Sequence, residues 1–381
     1  MSDQATHTPS LEQLYERHSS KWRRFAADVL PMHVAEMDFQ IAEPIRARIQ
    51  RMNEDSDFGY LGPVPEVAQA FEGFAARRWG WHIDPTQLKL ASDVGVATVE
   101  FLRANLEPGD RVVVSSPVYS GFYEWLKELK IEPFDVPLVH TEEQYSLDIA
   151  GFEDAFKQGH LIVLLCNPHN PTGRVFSRAQ LTELAIVAQK YGATVISDEI
   201  HAPLTSQTFT PYLSCGPAAE ATGVCITSAS KAFNLAGLKA AFLLTQGESM
   251  AAKVAKLPQA THWRTSIVGA FAMAEAFANC DSWLATTVAT LESNAKHLLD
   301  ELQQQLPQIK SHIPQAGYLA WLDIAELPLT TQEIAVKAKV ALVPGPDMGG
   351  ESYTNFARLN FGTSPEIISE GVRRIASALK N

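Results

Sequence analysis

The chain has 381 residues, 46% hydrophobic and 19% charged, and 31 Lys and Arg stand against 43 Asp and Glu for a formal net charge of -12. That implies a globular protein of roughly two domains, with enough core to need no disulfide or metal staples. The acidic balance argues against a nucleic-acid or anionic-membrane surface, because both require clustered Lys and Arg.

No segment is apolar for the ~20 residues that a membrane span takes, and the polar start "MSDQATHTPSLEQLYERHSSKW" lacks a signal-peptide apolar region. The four cysteines, Cys166, Cys215, Cys225 and Cys280, show no metal spacing, and Cys166 and Cys225 sit in apolar runs as buried thiols. A reduced, cytoplasmic compartment and no metal site are the expectation.

Residues 1–47 lack a strand–helix rhythm and are expected to join a smaller C-terminal unit. Downstream, "RVVVSSP" (111–117) and "LIVLLCNP" (161–168) read as buried strands, short, β-branched and closed by Ser or Pro. "RAQLTELAIVAQKYG" (178–192) has a helical pattern, with Gly192 in the C-cap position. "ATVISDEI" (193–200) and "GVCITSAS" (223–230) are two more strands. This alternation predicts an α/β domain with a mostly parallel sheet. "SWLATTVATLESNAKHLLDELQQQL" (282–306) is a long amphipathic helix leading into an α+β unit that ends in "EIISEGVRRIASALK". The expected division is a large domain of 48–280 and a small one of 1–47 with 281–381.

In open α/β sheets, ligands bind beyond the carboxyl ends of the strands. "CNPHNPTGRV", "SDEIHAPL" and "SASK" fall at such ends. If the strands are parallel, Asn170, Asp198, His201, Ser228 and Lys231 converge on one face. A buried Asp198 can keep a ring nitrogen protonated, Asn170 can donate to a phenolate-like oxygen, and serines can bind phosphate. A partly desolvated Lys231 near a cation becomes a nucleophilic amine. That set suits pyridoxal phosphate. Taken singly, each residue has a plainer reading: Asp198 as a helix N-cap, "NPHNPTG" as a turn, Lys231 as a solvated surface lysine, His201 as a packed histidine.

In this order, "NPHNPTGRV", "SDEIHAPL" and "SASKAFNLAGLK" resemble the fold type I pyridoxal-phosphate enzymes, the aspartate aminotransferase superfamily. "VLPMHVAEMDFQIAEPI" is similar to the "LPMWVADMDF" signature of one branch, the MalY/PatB-type cystathionine β-lyases or C–S lyases. "FGYLGPVPEVAQAFEGFAARRWGW", "SSPVYSGFY", "GYLAWLDIAEL" and "FARLNFGTSPEIISEGVRRIASAL" extend the resemblance over nearly the whole chain. The histidines of "NPHNP" and "DEIH" lean toward the lyase branch, since aminotransferases of this class more often show "NPNNP" and "DEVY".

The resemblance implies site roles. Lys231 forms the Schiff base with the cofactor and carries the Cα proton. Asp198 pairs with the pyridine nitrogen, and Asn170 donates to the phenolic oxygen. His201 stands where many relatives have a tyrosine, and Tyr119 stacks on the ring. Ser228 and Lys239 bind phosphate, helped by the backbone of Val94 and Gly95 at a helix start. In "SDVGVATVEFLR" the family's usual "GVV" is displaced, and Asp93 precedes it. Tyr60 reaches the phosphate of the neighbouring subunit, which implies a homodimer. Arg358 clamps the substrate α-carboxylate, and the backbone of Ala35 faces it. His33 replaces the branch's tryptophan near the substrate entrance and can alter substrate preference.

The implied reaction is β-elimination of L-cystathionine or a related S-substituted L-cysteine to thiol, pyruvate and ammonia. An aminotransferase with the same Lys231 Schiff base is the alternative, because the motifs around the cofactor are shared. A third reading, a regulator that binds a partner protein through its surface, predicts that Lys231→Ala leaves the phenotype intact.

Overall fold

The computed structural model describes residues 8–141 and 144–380. Its strands, in chain order, are β1 (Leu30–Pro31), β2 (Leu88–Ala91), β3 (Val112–Val114), β4 (Pro133–Asp135), β5 (Val139–His140), β6 (Tyr145–Ser146) and β7 (Ile162–Cys166). They continue with β8 (Thr194–Asp198), β9 (Gly223–Thr227), β10 (Ala241–Leu244), β11 (Leu319–Asp323), β12 (Val340–Ala341), β13 (Val343–Pro344) and β14 (Phe356–Asn360).

Seven of them form one sheet in the order β2-β10-β9-β8-β7-β3-β4. Only β10 opposes its neighbours; β4, β3, β7, β8 and β9 pair in parallel. The runs in β7, β8 and β9 are wholly buried because helices cover both faces. Val163, Leu165 and Val195 point into one core, and Ile162, Leu164 and Ile196 into the other.

The helix Arg178–Tyr191 forms where the apolar periodicity predicts it. Ser177 and Gln180 build a capping box at its start, and Gly192 closes it at φ 69°. The long amphipathic run becomes a single helix, Asp281–Gln305. It packs against the C-terminal helix Pro365–Ala378. Beyond it, β11, β14 and β13 make an antiparallel sheet. The N-terminal segment joins this part of the molecule, since β1 pairs in parallel with β12.

All four cysteines are buried free thiols. Among the described residues no helix is long and apolar enough to cross a membrane, and no group of three or more His, Cys, Asp or Glu is placed to hold a metal.

Candidate active site

Parallel pairing of β7, β8 and β9 puts their carboxyl ends side by side, with Cys166 opposite Asp198 and Asp198 opposite Ile226. The turns that follow carry Asn170, His201, Ser228 and Lys231 to one place. These residues line a cleft of about 910 Å³, together with Asp198, Tyr119, Val94, Gly95 and Lys239 from the large sheet's side. His33, Ala35 and Arg358 close it from the other side. Of the residues singled out in the sequence, Tyr60 alone does not line the cleft. It is 91% exposed on a loop that also exposes Phe58.

Lys231 Nζ donates to Ala35 O at 3.0 Å. Burial and the nearby Arg358 charge lower its pKa to about 8, against the opposing pull of Glu36 and Asp198. Asp198 is pushed up to about 6 by burial, although it accepts from Ile200 N–H at 3.1 Å and faces Lys231. Asp198 is not a helix N-cap: the short helix that follows, Ala202–Leu204, starts at His201, and Asp198 Oδ1 closes a local turn onto Ile200 N–H instead.

Arg358 is 5% exposed. Its guanidinium donates to His33 O at 2.8 Å and to Asn170 Oδ1 at 3.1 Å. Burial brings its pKa down to about 10. Because Asn170 accepts through its oxygen, its amide nitrogen remains the donor. His201 is buried beside Tyr318 with ring centroids 5.9 Å apart, and its Nδ1 has no partner. Burial and the Lys231 charge lower its pKa to about 3, so it is neutral.

The helix start that lines the cleft has an unusual arrangement. The helix Val94–Asn105 begins at Asp93, whose Oδ1 accepts from Val96 N–H at 2.7 Å. Its Oδ2 pairs with Lys239 Nζ at 3.0 Å. Asp93 thus turns one oxygen into the helix and the other onto the lysine. The N–H groups of Val94 and Gly95 have no acceptor within the helix, as at every helix start. Ser228 Oγ donates to Ala240 O at 2.6 Å and accepts from Ser230 N–H at 3.0 Å.

The donors that line the cleft suit pyridoxal phosphate. A buried carboxylate, a lysine of lowered basicity and a free amide donor face a cavity whose far end has helix N–H groups, Ser228 and Lys239. These residues fit the group: Asp198 for a ring nitrogen, Asn170 for a ring oxygen, Tyr119 for a ring face, and the helix start for the phosphate.

Reading the motifs missed the clamp on residues 33–39. Asn360 Nδ2 donates to Val34 O at 2.6 Å and Glu36 O at 2.7 Å. Tyr318 Oη donates to Ala35 O at 2.9 Å, the same carbonyl that Lys231 meets. Asn234 Nδ2 reaches Met37 O and Phe39 O. Behind this segment, Lys21 and Asp38 form a buried ion pair at 2.8 Å, and Trp22 Nε1 donates to the other Asp38 oxygen at 3.1 Å. One sequence signal was available for Asn360. It lies two residues after Arg358 on β14, hence on the same face of the strand.

Comparison with known proteins agrees with this geometry. The cystathionine β-lyase of Corynebacterium glutamicum is 34% identical, covering 97% of this chain and 99% of its own. The cystathionine β-lyase PatB of Bacillus subtilis is 32% identical, covering 97% and 98%. The crystal structure of a PLP-bound C-S lyase from Staphylococcus hominis superposes with a TM-score of 0.86 at 25% identity, covering 92% of this chain and 88% of that one. Residues 27–375 match the aminotransferase class I and II family, and the chain belongs to that family.

Proposed function

We propose that this protein is a pyridoxal-phosphate-dependent carbon–sulfur β-lyase that cleaves L-cystathionine or a related S-substituted L-cysteine, with water, to a thiol, pyruvate and ammonia. The observation that carries it is the meeting of half-buried Lys231 with buried Asp198 and Arg358 in one cleft. Relatives of two genera named cystathionine β-lyase favour elimination over transamination by the same residues.

Bound there, pyridoxal phosphate supplies the electron sink for the charge left on Cα. Arg358 takes the α-carboxylate with a guanidinium whose plane is already fixed by His33 O and Asn170 Oδ1. Lys231, neutral for much of the time above pH 8, takes the Cα proton and returns one to the departing sulfur. Asp198 holds a positive ring nitrogen by its charge, and neutral His201 packs nearby without adding a competing cation. Tyr119, backed edge-on by Phe122 and Trp125, covers the ring face and keeps water out.

We further propose a homodimer in which Tyr60 completes the partner's phosphate site. The exposed Phe58 and Tyr60 supply an apolar loop for that contact. In keeping with the sheet assignments, the large domain would comprise 48–280 and the small one 1–47 with 281–381, working in the cytoplasm with its thiols reduced.

The test is to supply L-cystathionine to cofactor-loaded protein without any keto acid and to measure pyruvate and thiol together. Equimolar release over many turnovers is expected. A requirement for a keto acid at each turnover would identify an aminotransferase instead.

A further inference from the structure

His33 bridges two parts of the cleft. Its backbone oxygen accepts from Arg358 at 2.8 Å, at the end where an α-carboxylate would lie. Its imidazole packs edge-on to Phe25 with ring centroids 4.8 Å apart. His33 is only 4% exposed, and neither ring nitrogen has a hydrogen-bond partner. A buried imidazole without partners is costly, which makes it a candidate for a ligand contact.

Arg24 and Phe25 line the same cleft as His33. Arg24 is exposed and makes no ion pair or side-chain hydrogen bond among the described residues. The other lining cations have neighbours that occupy them. Lys239 pairs with Asp93, Lys231 meets Ala35 O, and Arg358 is held by His33 O and Asn170. Among the described residues Arg24 is left as the lining cation without an ion pair or side-chain hydrogen bond. Its charge is the first electrostatic influence on His33 after burial, and with Lys21 and Arg358 it lowers that imidazole to about pKa 4. The imidazole is therefore neutral at neutral pH and offers one N–H donor and one acceptor.

We propose that Arg24, together with the imidazole of His33 under the edge of Phe25, forms a subsite for a carboxylate at the far end of the leaving thiol. The inference rests on the lyase reading and adds a chemical class to it: thioethers whose departing arm is aliphatic and ends in a carboxylate. The α-carboxylate binds at Arg358 on the inner side of His33. The arm runs past the imidazole and Phe25, and its terminal carboxylate meets the guanidinium and the His33 N–H. An arginine fork suits a planar carboxylate better than an ammonium point charge does.

The experiment compares L-cystathionine with S-propyl-L-cysteine, whose arm lacks charge, in cofactor-loaded wild-type protein and in Arg24→Lys, Arg24→Gln and Arg24→Glu. Arg24 is exposed and its only hydrogen bond among the described residues is through its backbone, so the side-chain variants should fold, and thermal unfolding checks this. The readout is the ratio of kcat/KM for the two substrates. The wild type should favour L-cystathionine, and the ratio should fall in the order Lys, Gln, Glu. Arg24→Gln should lose ~10- to 100-fold, mainly through KM. His33→Phe should lower the ratio in the same sense.

A wild-type ratio near one, or a ratio that does not move with the charge at position 24, overturns the subsite and leaves the lyase reading standing. Release of pyruvate from neither substrate by the wild type overturns the lyase reading and the subsite with it. Release from S-propyl-L-cysteine alone overturns only the subsite.

Discussion

Asn170, Asp198, Ser228 and Lys231 stand on the ends of three adjacent parallel strands and the turns just beyond them. Ala35 and Arg358, which face them, come from opposite ends of the chain. The first group is held by a sheet ladder buried on both faces. The second is held by side chains that capture carbonyls one by one: Arg358 on His33, Asn360 on Val34 and Glu36, Lys231 and Tyr318 on Ala35, Asn234 on Met37 and Phe39. A segment without regular structure can thus be ordered inside a cleft, provided its polar backbone groups find donors. It depends on tertiary contacts that no local propensity supplies.

The contrast predicts that changes on the sheet side cost activity while changes behind the 33–39 segment cost stability. Lys231→Ala is the largest expected effect. Pyruvate release should fall more than ~10^4-fold, with the thermal midpoint unchanged or higher, because a half-buried amine of lowered basicity is removed. A comparable fall in stability would erase the distinction between the two regions.

Asp38→Ala should do the reverse. It strands Lys21, 2% exposed, without its anion, and should cost about 3–5 kcal/mol in denaturant unfolding. A loss under about 1 kcal/mol would mean that the segment is secured elsewhere.

Asn360→Ala should cost less, about 2–3 kcal/mol by the same measurement, since two carbonyls lose a neutral donor. It should also raise the KM for substrate, because Val34 and Glu36 flank the Ala35 carbonyl. An unchanged KM would show that the other donors, Tyr318 and Lys231 on Ala35 O among them, position that backbone without Asn360.

The smallest effect is a titration. In cofactor-free protein, burial favours the neutral amine of Lys231, so its reactivity toward an acylating reagent should rise with pH through a midpoint near 8. An exposed lysine has its midpoint near ~10.4. A midpoint of Lys231 above 10 would show that the cleft admits water freely.

Much of the sheet side was legible. β7, β8 and β9 are buried on both faces, so their sequences are short unbroken apolar runs, and each ends in a polar cluster where the site begins. The helix 178–191 was legible for a similar reason, its capping box and Gly192 being local signals. Tyr318, Asn360 and the Lys21–Asp38 pair were not. Each contributes through a partner outside its own element: Tyr318 and Asn360 reach back to residues 34–36, and Lys21 reaches Asp38 across a stretch that includes β1. Asp93 was legible as a departure from the family's loop, but not its resolution. Only the structure turns one oxygen onto Val96 N–H and the other onto Lys239.

The amino-acid sequence by itself determined the α/β architecture, the strand ends and the identity of the groups set there, because periodicity, caps and turn residues act over a few positions. The tertiary structure decided which of those groups are buried, what each one bonds and how far its basicity is moved. Those depend on desolvation and on charges that the fold brings close, as with Arg358 beside Lys231 and Arg24 beside His33.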